Sequence, residues 1–265
     1  MTTTEFQQIV YDYYSRHGRA HLPWRVQPTP YYVLVSELML QQTQVERVIP
    51  KFNMFVQLFT NEQELAAAPL ADVLRTWQGL GYNRRARYLH EAAKSICQSG
   101  SFPETKQALM QLPGVGPNTA AAIRVYAFDQ VDIYVETNIR TVFFHHFFHD
   151  QTDVPDSRLL PLAERMLDRS QPRVWYSALM DYGTFLKQQG AGRISRSAHY
   201  KKQSKFEGSL RQMRGAIVRA LTNGESSETA LRKQLPADER FEPALSGLVT
   251  EGLVVRESGY VRLRR

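Results

Sequence analysis

The stretch LPGVGPNTAAAIRVYAFDQVDIYVETN, residues 112–138, combines a glycine turn, a helix start and a lone acid. Gly114 and Gly116 permit a tight turn whose backbone N–H groups point outward, and Pro117 then opens a helix whose N-terminus favours an anion. A DNA phosphate fits such a cradle, although a Gly-x-Gly by itself is also an ordinary helix-to-helix turn. Further on, Glu136 places a single carboxylate beside Thr137 and Asn138. A second acid, Glu37, lies beside Leu38, Met39 and Leu40, apolar neighbours of the kind that keep a carboxyl protonated. A solvated helix glutamate is the other reading of those same residues.

Composition narrows what these groups can serve. With 265 residues, 43% of them hydrophobic, the chain can bury a core, and its length suits one large domain and one small one. No run approaches the roughly eighteen apolar residues needed to span a bilayer. The start, MTTTEFQQIVYDYYSRHG, lacks the basic head and apolar centre of a signal peptide, so a cytoplasmic, nucleoid-associated protein is expected. Cys97 is the sole cysteine, which rules out an intrachain disulfide and a cysteine-ligated iron–sulfur cluster. His145, His146 and His149 come without a carboxylate or cysteine set and sit among Phe143, Phe144, Phe147 and Phe148. They read as packing, and neither metal nor cofactor is expected. The net charge is +7, and 15 Lys+Arg against 8 Asp+Glu from Gly190 onward account for all of it. A polyanionic partner is implied.

The elements that must position these residues are mainly helical. Helical periodicity covers 5–17, 33–59, 62–68, 70–78, 83–100, 105–112, 118–128 and 137–148, with Gly/Pro turns at 22–30, 77–83 and 112–118. The basic, glycine-containing stretch 187–209 reads as a linker or DNA-facing loop. Beyond it come three short helical patterns and a hairpin pattern, LVVRE and YVRLRR. That order suggests a winged helix, a module that binds DNA or docks on protein. The expected division is therefore 1–188, a linker at 189–208 and a small domain at 209–265.

The full string Leu-Pro-Gly-Val-Gly-Pro-x-Thr-Ala matches a helix-hairpin-helix. Together with LPWR at 22–25, SELMLQQTQVERVIP at 36–50 and GLGYNRRARYLHEAA at 79–93, it makes the chain from Phe6 to Gly183 resemble the MutY-like adenine DNA glycosylases of the helix-hairpin-helix superfamily. The resemblance implies that superfamily's mainly α glycosylase fold, followed here by the small winged-helix-like domain. It also implies a reaction in which a mispaired nucleotide is flipped from the duplex and its base is released by hydrolysis. Base departure needs a proton on the ring nitrogen and negative charge beside the developing oxocarbenium ion, which two carboxylates in different environments supply. Glu37 matches the general acid. Glu136 takes the electrostatic or water-activating place, where the family usually carries Asp, and the added methylene can displace the carboxylate by on the order of 1.5 Å; a shifted substrate, a slow enzyme or a structural helix cap are the other readings of this departure. Thr137 and Asn138 match the Gly-Asn that commonly follows, and Asn138 is expected at the substrate.

By the same resemblance, Gln42 and Tyr82 wedge into the duplex and fill the gap left by the flipped base. Trp24, Arg25 and Asp181 belong around the extruded base. Asn118 stands where lyase members carry the Schiff-base lysine. Asparagine cannot form that imine, so base excision without efficient strand cleavage is expected, with Lys106 or a tail lysine as candidates for a weak adventitious reaction.

Past Gly183 the resemblance stops. Most relatives next carry four cysteines that hold a [4Fe–4S] cluster; here Arg193, Arg196, Lys201, Lys202 and Lys205 are expected to contact phosphates instead. The residues after Gly208 do not match the larger 8-oxoguanine-reading domain of full-length relatives. The expected partner is mismatched or damaged double-stranded DNA, bound by a monomer and without a membrane. Adenine opposite 8-oxoguanine or guanine is the first expectation for the excised base. Thymine or uracil opposite guanine, or a DNA-binding protein with impaired catalysis, are the alternatives.

Overall fold

Strong local signals start the first helices. In the computed structural model, which describes residues 1–198, 205–236 and 238–264 and omits the Arg196 side chain, Thr2 and Glu5 cap each other reciprocally at the head of α1 (Thr3–His17). Then follow α2 (Pro23–Val26), α3 (Pro30–Leu40), α4 (Val45–Leu58), α5 (Glu62–Ala67), α6 (Leu70–Thr76) and α7 (Arg84–Ser99), which Gly100 ends at φ +77°. The hairpin helices are α8 (Lys106–Leu109) and α9 (Pro117–Phe128), and α10 (Thr137–His146) comes next. Two further helices, α11 (Asp156–Met166) and α12 (Pro172–Gln188), had no counterpart in the periodicity reading. Pro161, which reads as a breaker, is carried inside α11. The periodic run 33–59 is not one helix either. It breaks between α3 and α4, where Gln42 adopts φ +56°.

Contacts gather the chain into two compact units that do not follow its order. One holds Met1–Val33, Glu104–Gln111 and the described part of Val115–Lys202; the other holds Leu34–Pro103, Leu112–Gly114 and the described part of Gln203–Arg265. The expected division at 188 and 209 is contiguous; here 34–103 and 112–114 group with the residues after 205, where Arg75 meets the Thr222 carbonyl and Arg87 the Glu251 carbonyl.

In the first unit, α10 packs on α12 and α12 on α1 around Phe6, Val10, Phe143, Phe144, Trp175 and Leu179. Phe6 meets the rings of Phe143, Phe147, His146 and Trp175 at 5.1–5.9 Å. His146 also bonds the Tyr182 hydroxyl at 2.9 Å, and burial together with His145 depresses its pKa to about 4, so it packs as a neutral ring. The start of the expected linker is packed as well: Gly192, at φ +56°, lies against the Thr141 carbonyl, and Ala198 N–H donates to Val154 O at 3.3 Å.

In the second unit, α5 and α6 lie on α7, with Phe52, Phe55, Trp77 and Leu89 buried. Here too are α13 (Leu210–Ala220), α14 (Glu228–Gln234) and α15 (Phe241–Thr250), with strands β1 (Ser226–Ser227), β2 (Val254–Glu257) and β3 (Tyr260–Leu263) in the antiparallel order β1-β3-β2. Three helices and a hairpin thus form where the sequence placed them. No helix of the described residues is long and apolar enough to cross a membrane.

Candidate active site

Glu136 sits at the N-cap of α10. Its Oε1 accepts from the backbone N–H groups of Asn138 at 2.7 Å and Ile139 at 3.3 Å. Burial raises the Glu136 pKa, and the N–H donors with Arg140 only partly offset it. The segment leading into it is pinned at three residues. Asp132 is gripped by Lys106 at 2.7 Å and Arg124 at 2.6 Å, Tyr134 stacks on Tyr176 with centroids 4.5 Å apart, and the Asn118 amide donates to the Val135 carbonyl at 3.0 Å. Asn118 therefore ties the first turn of the hairpin helix α9 to the residue before the acid. The amine of Lys106 is engaged by the Asp132 carboxylate. Across from α10, Gly183 of α12 comes so close that a Cβ there would lie 2.2 Å from the Asn138 carbonyl oxygen. Asn138 in turn reaches Met180 Sδ at 4.0 Å.

Asp181, expected with Trp24 and Arg25 around the extruded base, spends its carboxylate on two arginines. Its side chain is 1% exposed, and both oxygens are taken by arginines: Arg19 N–H and Nε at 2.7 and 2.8 Å, Arg25 Nη1 and Nη2 at 2.8 and 3.0 Å. Burial acts to raise its pKa, but the paired guanidiniums outweigh it and hold the group ionised, below the usual carboxylate range. Asp181 thus orients Arg25, which follows the buried Trp24 in α2. Arg19 was absent from the expected set.

In the second unit Glu37 is half-buried on α3 between Ser36 and Leu38, both buried. The elements near it are held by Arg85, a residue the sequence reading passed over. Its guanidinium, on a side chain of a residue 7% exposed, donates from Nη1 to the carbonyls of Leu38 (2.7 Å), Met39 (2.8 Å) and Gln41 (2.6 Å). Nη2 donates to Leu80 O (3.2 Å), Gly81 O (3.0 Å) and Thr43 Oγ1 (3.1 Å). One cation therefore satisfies the orphan carbonyls at the end of α3 and also fastens the turn after α6. Burial lowers its pKa to about 10, so it stays charged at neutral pH. The two segments it joins carry Gln42 at φ +56° and Tyr82 at φ +48°, left-handed conformations that cost a non-glycine residue on the order of 1–3 kcal/mol. Gln42 is exposed and Tyr82 half-buried. A signal for Arg85 was present: it is in phase with Leu89, Ala92 and Ile96 on the buried face of α7.

The two hairpin glycines differ. Gly114 has φ +82°, and a Cβ there would meet Tyr88 Cβ at 2.8 Å, so only glycine fits. Gly116 has an ordinary φ of −88° with nothing near its missing Cβ; the tight turn does not require it, and no side chain caps the N-terminus of α9 that follows it. Arg193 and Lys205 are exposed, while Lys201, Lys202 and the Arg196 side chain lie outside the described residues.

Residues 35–164 match the profile of the HhH-GPD superfamily base excision DNA repair proteins. An adenine DNA glycosylase from Mycolicibacterium smegmatis is 33% identical over 90% of this chain and 89% of its own length. Another, from Buchnera aphidicola subsp. Baizongia pistaciae, is 39% identical over 56% of this chain, and the match spans only 42% of that protein. Among solved structures, a thermostable thymine-DNA glycosylase superposes with a TM-score of 0.61 at 24% identity, covering 68% of this chain and 85% of the other.

Proposed function

The chain belongs to the HhH-GPD superfamily of base excision DNA repair proteins, and from that premise we propose that it is a monofunctional DNA glycosylase that removes mispaired adenine from double-stranded DNA. The observation that carries the reading is Glu136, a carboxylate oriented by backbone N–H groups at the head of α10, with the segment leading into it tied down by Asn118. Glu37 gives its proton to a ring nitrogen of the flipped adenine. The electron pair of the glycosidic bond leaves with the base, and an oxocarbenium ion forms at the sugar. Ionised Glu136 stabilises that cation and takes the proton of the water that adds to it, and exchange with solvent returns Glu136 to its ionised and Glu37 to its protonated form. Asn118 in the lysine position of lyase relatives accounts for hydrolysis without strand scission. Gln42 and Tyr82 enter the duplex from the segments that Arg85 joins, while Gly116 and the α9 N-terminus take a phosphate.

The chain does not fit the iron–sulfur cluster of its relatives, because Cys97, half-buried on α7, is its single thiol and such a cluster needs four ligands. The purified protein is expected to be colourless and indifferent to chelators; stoichiometric iron would refute this. The decisive assay is single-turnover incubation with duplexes pairing A, T or U against G and A against 8-oxoguanine, followed by alkali to reveal abasic sites. Release of adenine supports the reading, release of thymine or uracil from G pairs replaces the substrate, and no release leaves a DNA-binding protein.

A further inference from the structure

The ring of Tyr82 is held by more than its own segment. Arg211, one residue into α13, lies over it with the guanidinium carbon 5.2 Å from the centroid and donates through Nη1 to the phenol oxygen. Arg85 lies 5.5 Å from the same centroid. Arg211 also covers Phe206, 5.6 Å away, an aromatic side chain that is 56% exposed. An exposed phenyl, a guanidinium and a half-buried phenol thus make one stacked group, built partly from residues after 205. Such a group is more than the module needs for anchorage. Arg75 Nε donates to Thr222 O at 2.7 Å, Arg87 donates to the Glu251 carbonyl and Arg214 pairs with the Glu251 carboxylate, all without Arg211.

We propose that Arg211 is a positioning residue for Tyr82, through which the C-terminal helices take part in opening the base stack at a mispair; the proposal rests on the reading of Tyr82 as the inserted ring. A tyrosine on left-handed backbone has its ring direction set by what packs on it, and Arg211 fixes both the face and the hydroxyl. The partner this group recognises is the exposed π-face of an unstacked base in double-stranded DNA, against which a rigid phenol packs and a floppy one does not.

The test uses the full chain as wild type, Tyr82→Ala, Arg211→Ala and the double variant. Each is bound at saturation to a mispaired duplex carrying 2-aminopurine beside the target, and single-turnover excision is followed in parallel. Wild type should raise the 2-aminopurine fluorescence as the stack opens, and Tyr82→Ala should abolish the rise. Arg211→Ala should diminish it and slow excision about tenfold, with the double variant no worse than Tyr82→Ala alone. Arg211→Lys keeps the charge but not the planar face, and should behave like the alanine variant. Melting temperatures near wild type are expected because the other anchors remain, and Arg211→Gln offers the same comparison if the alanine variant unfolds. Wild-type fluorescence and rate for Arg211→Ala beside an impaired Tyr82→Ala would overturn the proposal, as would additive losses. A Tyr82→Ala protein that behaves as wild type would instead remove the inserted-ring reading, and the proposal with it.

Discussion

Glu136 must be ionised to stabilise a cation, yet burial favours its protonated form. Excision should therefore rise with pH through a value above the ordinary glutamate range, an acid limb measurable in single-turnover rates from pH 4 upward. The same shift bears on stability. A carboxyl whose folded pKa is raised stabilises the fold most below its unfolded pKa, and that contribution is lost as pH rises through the folded value. Glu136→Gln, which keeps an oxygen for the Asn138 and Ile139 N–H groups, should abolish excision while melting at or above the wild-type temperature at neutral pH. The gap should close in acid. Excision by this variant would remove the charge from the mechanism, whereas Glu136→Asp should stay active or improve. For Glu37, the amide of Glu37→Gln preserves shape without a transferable proton, so duplex binding should persist and base release should vanish.

At the scale of elements, a single guanidinium joins the end of α3 to the turn after α6. Arg85→Met leaves the carbonyls of Leu38, Met39, Gln41, Leu80 and Gly81 without that donor, and a loss on the order of 3–5 kcal/mol is expected by chemical denaturation. Arg85→Lys retains the charge, but a three-donor ammonium cannot reproduce the planar fork. It should fold less stably and discriminate mispaired from matched duplex less well, because the Gln42 and Tyr82 segments are no longer held to a common point. Equal discrimination would show that the staple serves stability alone. This device was not readable from spacing. Periodicity ran straight through 33–59 as one helix, and nothing local announces that an arginine on α7 will cap a helix more than forty positions earlier in the chain.

For the whole molecule, the charge surplus lies after Gly190. If Arg193, Arg196, Lys201, Lys202 and Lys205 neutralise phosphates, the logarithm of affinity should fall with the logarithm of salt by roughly 0.9 per contact. Replacing all five with alanine should weaken binding to matched and mispaired duplexes alike and flatten that slope by several units, with little change in excision at saturating enzyme. A titration with an unaltered slope would mean that the five serve only to link or pack the C-terminal helices.

Local spacing alone determined the mainly helical class, the turn at 112–118, the single cysteine and the three helices and hairpin near the C-terminus, while the pairing of Glu37 with Glu136 came from the family resemblance. These are properties of side-chain type and short-range period, which a linear chain displays. Only the tertiary structure decided that Asp181 serves two arginines, that Gly114 and not Gly116 is needed for the turn, that residues after 205 pack with α6 and α7, and that Arg85 and Arg211 both reach Tyr82. Each of those depends on which distant backbone carbonyls and rings a long side chain meets once the core has closed, and burial then sets the charge state and direction of the group, information that no window of neighbouring residues contains.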